Sequence, residues 1–240
     1  MHRIVASMIL FSAVFSAISP QTASAQPITV PSGLSPGDQY RLAFVTSTTT
    51  DASSSDIAYY NTFVNTAANS IPALTGLGPW TAIASTATVD ALDNTSTDPS
   101  ISAGVPIYNL NDTIIANSNI DLWGGNVFAS IAIPPLGLFA DAFVWTGTTS
   151  LGFTRLTGGL GDPSGVAAQG NYIFTDSGWI AAGRELTTVM LPLYAISGVL
   201  TVVPEPSSIV LAGLAAAALS VPMLRRRRRC SRVGNLPGER

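Results

Sequence analysis

Few residues in this chain can do chemistry, and most of those are carboxylates. The only histidine of the 240 residues is His2, the only cysteine is Cys230, and there is no lysine. From Gln26 to Val203 the chain therefore has no imidazole, thiol or primary-amine side chain. That excludes zinc sites built on Cys and His, Ser-His-Asp and Cys-His hydrolases, Schiff-base lysines and CxxC redox sites. Disulfides are excluded too, so this stretch must hold itself together through its core. Carboxylate chemistry, oxygen-ligated calcium, or no chemistry remains.

Paired acids flanking a glycosidic bond are the catalytic route left open. The stretch carries eleven Asp but a single Glu, Glu185. Glu185 follows Arg184 directly and reads as a charged surface position. No two acids stand out as a pair, so neither a catalytic residue nor an enzyme is expected. Asp90, Asp93, Asn94 and Asp98 offer the hard oxygen ligands calcium prefers. They lack the D-x-[DN]-x-[DN]-G spacing and read as a solvated loop, so no metal and no cofactor is expected. Gly159-Leu160-Gly161-Asp162-Pro163-Ser164 opens like a dinucleotide fingerprint, but Ser stands where the third glycine belongs, and it reads as a turn. Trp123 in Leu122-Trp123-Gly124-Gly125 and Trp179 in Asp176-Ser177-Gly178-Trp179 border glycine-bearing turns. An indole there either stacks on a sugar ring or closes the core with its N–H on a loop carbonyl. These two are the candidate ligand-stacking residues.

The charge is unevenly placed. All eleven basic residues are Arg, and eight lie outside residues 26–203. Within that stretch Arg41, Arg155 and Arg184 stand against eleven Asp and one Glu, a net charge of −9. Nucleic acid, which is bound by clustered Lys and Arg, is not an expected partner. Overall the chain is 47% hydrophobic and 10% charged. Outside its ends, however, no apolar run approaches the roughly 20 residues of a spanning helix.

The two ends carry the clearest patterns. His2-Arg3 precedes an apolar run from Ile4 to Ile18, then Pro20 and Ala23-Ser24-Ala25. This is the layout of a secretory signal peptide over residues 1–25, with Ala23 and Ala25 framing the cleavage site and the Sec machinery as partner. An uncleaved anchor helix is the alternative. At the other end Pro204-Glu205-Pro206 is followed by a mildly apolar stretch to Leu224 and then by Arg225, Arg226, Arg227, Arg228 and Arg229. Ser207 to Leu224 would span about 27 Å as a helix, enough for a thin hydrocarbon core. The arginine block would hold the C-terminus on the cytoplasmic side. A plain single-span anchor is one reading of this tail.

Motif, span and arginine cluster in that order resemble the PEP-CTERM sorting tail of exported proteins in Gram-negative bacteria. The resemblance rests on Pro204, Glu205 and Pro206 together with the two segments that follow. It implies processing by exosortase, a membrane-embedded transpeptidase-like cysteine protease. It also implies passage through the inner membrane as a precursor and an end point at the cell surface or in extracellular polysaccharide. The expected organisation is a signal peptide (1–25), an exported domain (26–202), a sorting tail (203–229) and a short cytoplasmic extension (230–240). Such tails usually end soon after the basic cluster, and residues 230–240 depart from that.

The exported domain reads as a β-dominated α+β fold. Gln39 to Thr46 has the apolar, β-branched and aromatic content of a strand. Ile57, Tyr60, Val64 and Ala67 recur at helical spacing, with Phe63 and Ala68 beside them, and Ser53-x-x-Asp56 offers a capping box. Further strands are expected at Trp80 to Ser85, Ile114 to Ala116, Val127 to Ile133, Phe143 to Thr148, Ile173 to Phe174 and Tyr194 to Val202. The segments Asp93 to Ser100, Pro134-Pro135 and Thr157 to Gly170 read as connections. Strand, helix, a loop-rich half with Phe143-Val144-Trp145-Thr146-Gly147-Thr148, and a closing Leu193-Tyr194-Ala195-Ile196 strand resemble C-type-lectin-like folds of exported bacterial domains. The usual cysteines and the Glu-Pro-Asn and Trp-Asn-Asp sugar-calcium signatures are missing, and a plain β-sandwich is the competing architecture. The expected role is a non-enzymatic structural or adhesive surface module. The alternatives are a carbohydrate-binding module for matrix polysaccharide and, after it, a carboxylate-dependent hydrolase.

Overall fold

In the computed structural model, residues 29–131 and 142–203 are described. Their elements run β1 (Gln39–Val45), α1 (Ile57–Asn69), β2 (Trp80–Ala82), α2 (Ala91–Asn94), β3 (Ile107–Asn109), β4 (Ile114–Ala116), α3 (Asn119–Leu122), β5 (Phe143–Trp145), β6 (Val166–Asn171), α4 (Gly178–Ala181), β7 (Gly183–Leu186), β8 (Tyr194–Ser197) and β9 (Leu200–Thr201). The signal peptide with Ala23 and Ala25, the Pro204-Glu205-Pro206 motif, the apolar run, Arg225 to Arg229 and residues 230–240 lie outside the described residues. Pro134-Pro135 and the last two residues of the expected 127–133 strand do as well.

β1 is the centre of the fold. It pairs parallel with β3 and antiparallel with β8, in a mixed sheet ordered β2-β8-β1-β3-β4. Side chains alternate across a strand, and both faces of β1 are buried. Tyr40, Leu42 and Phe44 enter one core, while Ala43 and Val45 enter the other. This explains why its sequence is a near-continuous apolar run rather than an alternation. A second, three-stranded sheet, β5-β6-β7, meets the first where Trp145 of β5 bridges Leu193, next to β8, and a separate bridge pairs Thr86 with Leu160. A mixed sheet carrying a packed helix makes the domain α+β and not a plain β-sandwich.

α1 covers the first face through Tyr60, Val64, Ala67 and Ala68. The expected helix is present, but the capping box is not. Asp56 is itself the N-cap, its Oδ1 accepting the Ala58 N–H at 2.9 Å. Ser53 donates its hydroxyl to Asp51 at 2.6 Å instead. Two asparagines of α1 stand in for a neighbouring strand along β2. Asn65 Oδ1 accepts the Trp80 N–H at 3.2 Å and Asn61 Oδ1 the Ala82 N–H at 2.9 Å. Four helical residues rise about 6 Å and two strand residues about 6.6 Å, so the amides keep step with the strand edge.

Several expected strands are revised. Trp80 to Ser85 shortens to β2 and Phe143 to Thr148 to β5. Val127 to Ile131 is irregular, although the Phe128 N–H donates to Ile115 O and the Val127 N–H to Thr175 O. Ile173–Phe174 is a turn, and the strand lies earlier, at β6, inside a segment whose glycines read as a connection. Tyr194 to Val202 is split into β8 and β9. Ala43 faces Ile196 but Tyr40 faces Leu200, so β8–β9 carries one residue more than β1 over that interval. Such an insertion is a β-bulge, which bends the strand and locally interrupts its ladder.

Candidate functional site

Trp123 and Trp179, the candidate ligand-stacking residues, lie side by side inside the second core. Trp123 is 3% exposed and Trp179 fully buried, with ring centroids 6.2 Å apart. Trp123 caps the short helix α3, and its Nε1–H donates to Thr97 Oγ1 at 2.9 Å and to Thr97 O at 3.2 Å. Its face is taken by the backbone of Gly152, where a Cβ would come within 2.8 Å of the indole. The positive φ of 83° there also favours glycine. Trp179, on α4, packs against Tyr194, whose hydroxyl donates to Trp179 O at 2.7 Å. A sugar ring reaches neither indole, so the stacking expectation is corrected: both rings are spent on covering the sheet. Trp145 is buried likewise, its Nε1–H shared between Thr50 O and Val189 O.

Several carboxylates are engaged in hydrogen bonds to nearby backbone or side chains. Asp90 Oδ1 accepts both the N–H and the hydroxyl of Thr154, at 2.6 and 2.7 Å, and ties one loop to another. Asn94 donates to Ala82 O at 2.7 Å and exchanges bonds with Asn61. Asp98 accepts the Ser100 N–H at 2.7 Å. The side chains of Asp90, Asn94 and Asp98 thus bond to protein groups around their loop, and among the described residues no group of three or more His/Cys/Asp/Glu that could hold a metal ion occurs. Asp162 accepts the Ser164 N–H at 2.8 Å, which makes Gly159 to Ser164 a turn, as its sequence indicates. Bonds from Ser164 hold the Asp162 carboxyl below its ordinary pKa. Glu185 is half-buried on β7 and accepts the Leu186 N–H. A shallow, open depression of about 450 Å³ is lined by Asp56, Ala58, Tyr59, Thr62 and Phe63. Asp56 is its one carboxylate, and that group already caps α1.

One buried charged residue escaped the sequence reading. Arg41, in the middle of apolar β1, is 8% exposed. Its guanidinium donates to Thr95 O at 2.7 Å and, at 3.3 Å each, to Ser197 O and Ser96 O. Burial pulls its pKa down. It ties the start of the β8–β9 bulge to the loop after α2. An arginine inside QYRLAFV was the available signal.

No protein-family model and no curated protein matches the chain.

Val202, near the end of the described residues, is held beside the start of β1. The Val202 N–H donates to Asp38 O, and Val202 O accepts the Gly37 N–H, each at 2.9 Å. Val203 is then 75% exposed. At the other terminus the Tyr40 hydroxyl donates to Thr29 O at 2.6 Å. Entry to and exit from the domain therefore meet at one end of β1. Among the described residues no helix is long and apolar enough to cross a membrane.

Proposed function

We propose that this chain is an exported protein sorted by a PEP-CTERM tail to the cell envelope or extracellular polysaccharide matrix, where its domain acts as a structural or adhesive module without catalysis. The observation that carries this reading is the order of three features: Pro204-Glu205-Pro206, an apolar stretch to Leu224, and Arg225 to Arg229. The engagement of Asp56, Asp90, Asp98 and Asp162 in structural hydrogen bonds supports the non-enzymatic role over the hydrolase. In this proposal the domain is C-type-lectin-like. The adjacency of its first strand to its last two supports that, as does the helix following the first strand.

The test is intact mass and fractionation in the native host, with and without its exosortase. A mature species beginning near Gln26, ending near Pro204 and found outside the inner membrane is expected only when exosortase is present. A chain that keeps Arg225 to Arg229 and stays in the inner membrane in both strains would sink the sorting reading and leave an ordinary anchor.

A further inference from the structure

The depression beside α1 opens away from the core. Asp56, Ala58, Tyr59 and Thr62 are exposed there and Phe63 is half-buried, around a space of about 450 Å³. Tyr59, Thr62 and Phe63 stand three and four positions apart, so they share a helix face. The Tyr59 ring is 44% exposed and yet held at both ends. It meets the buried Tyr60 edge-on, with centroids 5.1 Å apart, and its hydroxyl is bonded to Thr50 Oγ1 at 2.8 Å. A ring fixed in this way loses little freedom when a ligand stacks on its open side. Phe63 continues the apolar floor one turn further along α1.

The polar side chains of Asp56 and Thr62 beside this floor accept hydrogen bonds. The Thr62 hydroxyl gives its proton to Ala58 O at 2.8 Å, which leaves its oxygen as an acceptor. Asp56 accepts the Ala58 N–H through Oδ1, and its Oδ2 has no hydrogen bond among the described residues. Among those residues no arginine lines the depression. The Ala58 and Tyr59 N–H groups are both taken by Asp56, so the start of α1 presents neither to an anion. Acceptors beside an aromatic floor suit a ligand with O–H or N–H donors around an apolar face, as a pyranose ring has. A shallow, open site does not enclose a small molecule, whose pockets bury most of its surface, but it can take one side of a long chain. We propose that this depression binds a non-acidic polysaccharide, with a sugar ring against Tyr59 and sugar donors on Asp56 Oδ2 and Thr62 Oγ1. Such a site deepens the surface-module reading and rests on it for the ligand's source. The −9 charge of residues 26–203 turns acidic polymers away.

The test is direct binding of the full-length protein, in a detergent without a sugar headgroup, to dextran, hydroxyethyl cellulose, glycol chitosan and polygalacturonate. Binding to at least one of the first three and not to polygalacturonate is expected. A preference for glycol chitosan would assign the donors on Asp56 to amino groups, and a preference for a neutral polymer would assign them to hydroxyls. Tyr59→Ala should weaken binding about five- to tenfold. Tyr59→Phe keeps the ring and its contact with Tyr60, and should bind nearly as the parent does. Asp56→Asn still caps α1 through its side-chain oxygen but puts an amide donor where Oδ2 accepts, and it should weaken binding severalfold. Because that variant keeps the cap, its loss does not report misfolding. The proposal is overturned if none of the first three polymers binds, if polygalacturonate binds as well as they do, or if Tyr59→Ala and Asp56→Asn both bind like the parent. Binding is read without exosortase, so a failed sorting experiment leaves this result standing, and the reverse also holds.

Discussion

The two faces of β1 are covered in different ways. On one, α1 presents Tyr60, Val64 and Ala68 at regular spacing, and Phe44 meets Trp80 edge-on with centroids 5.1 Å apart. On the other, the cover is assembled from loops and single helical turns, among them α3 with Trp123 and α4 with Trp179 and Ile180. A regular helix satisfies its own backbone and needs only an apolar stripe. Irregular cover must find a partner for each polar group it buries. Accordingly Thr146 Oγ1 donates to Ile180 O at 2.7 Å, Tyr194 to Trp179 O, and Trp123 to Thr97. Neither solution is complete. Trp80 Nε1 on the helical side and Trp179 Nε1 on the loop side are buried without a partner.

The contrast can be broken most severely at Trp179. Trp179→Ala empties the space between Trp123 and Tyr194, at a cost of about 3–5 kcal/mol. Val64→Ala on the helical side should cost roughly 2 kcal/mol. Denaturant unfolding of both variants checks this, and equal losses would mean that the loop-built face carries no special burden. Trp179→Phe, which also removes the unpaired N–H, should lose clearly less than Trp179→Ala.

The next effect sharpens the helical side. Asn61→Ala leaves the Ala82 N–H without its acceptor and Asn94 with only its bond to Ala82 O, for a loss of about 2 kcal/mol. Hydrogen exchange should speed up at Ala82 and Trp80 while β1 stays protected. Unchanged protection at Ala82 would show that water replaces the amide freely.

The smallest effect is a pH dependence on the loop side. The Tyr194 phenol is buried, and desolvation raises its pKa well above the ordinary 10.0. The unfolded chain therefore ionises first. The stabilisation is complete below pH 10 and falls by about 1.4 kcal/mol per pH unit above it until the folded value is reached. Thermal unfolding between pH 8 and 11 should show this slope, and Tyr194→Phe should flatten it. A slope unchanged in that variant would assign it to other phenols, such as Tyr60, whose pKa is also raised by burial.

What could be read beforehand follows the same division. α1 and β1 are legible because their apolar residues recur at 3.6 or fill a doubly buried strand. Asp56 belongs to the expected capping box, but it serves as the N-cap itself while Ser53 gives its hydroxyl to Asp51. β6 was hidden because Gly165 and Gly170 look like turn residues, although Gly170 sits where the Trp179 backbone comes too close for any Cβ. β3 and β7 are three and four residues long, too short for a period to declare itself. The split of β8 from β9 depends on a register against β1 that no local pattern contains.

By itself the sequence determined which chemistries the domain lacks, since an absent His, Cys or Lys cannot be supplied by folding. It also determined the helix and the central strand, and it contains the ordered features from which the sorting proposal is drawn. Only the tertiary structure decided what Trp123 and Trp179 do. A tryptophan beside a glycine turn is equally suited to a groove or a core, and the choice depends on what packs over it. Here Gly152 lies on one ring and Tyr194 on the other. The bond from Arg184 to Leu156 O was likewise beyond the sequence, because strand pairing and turn closure set it across 28 positions of chain.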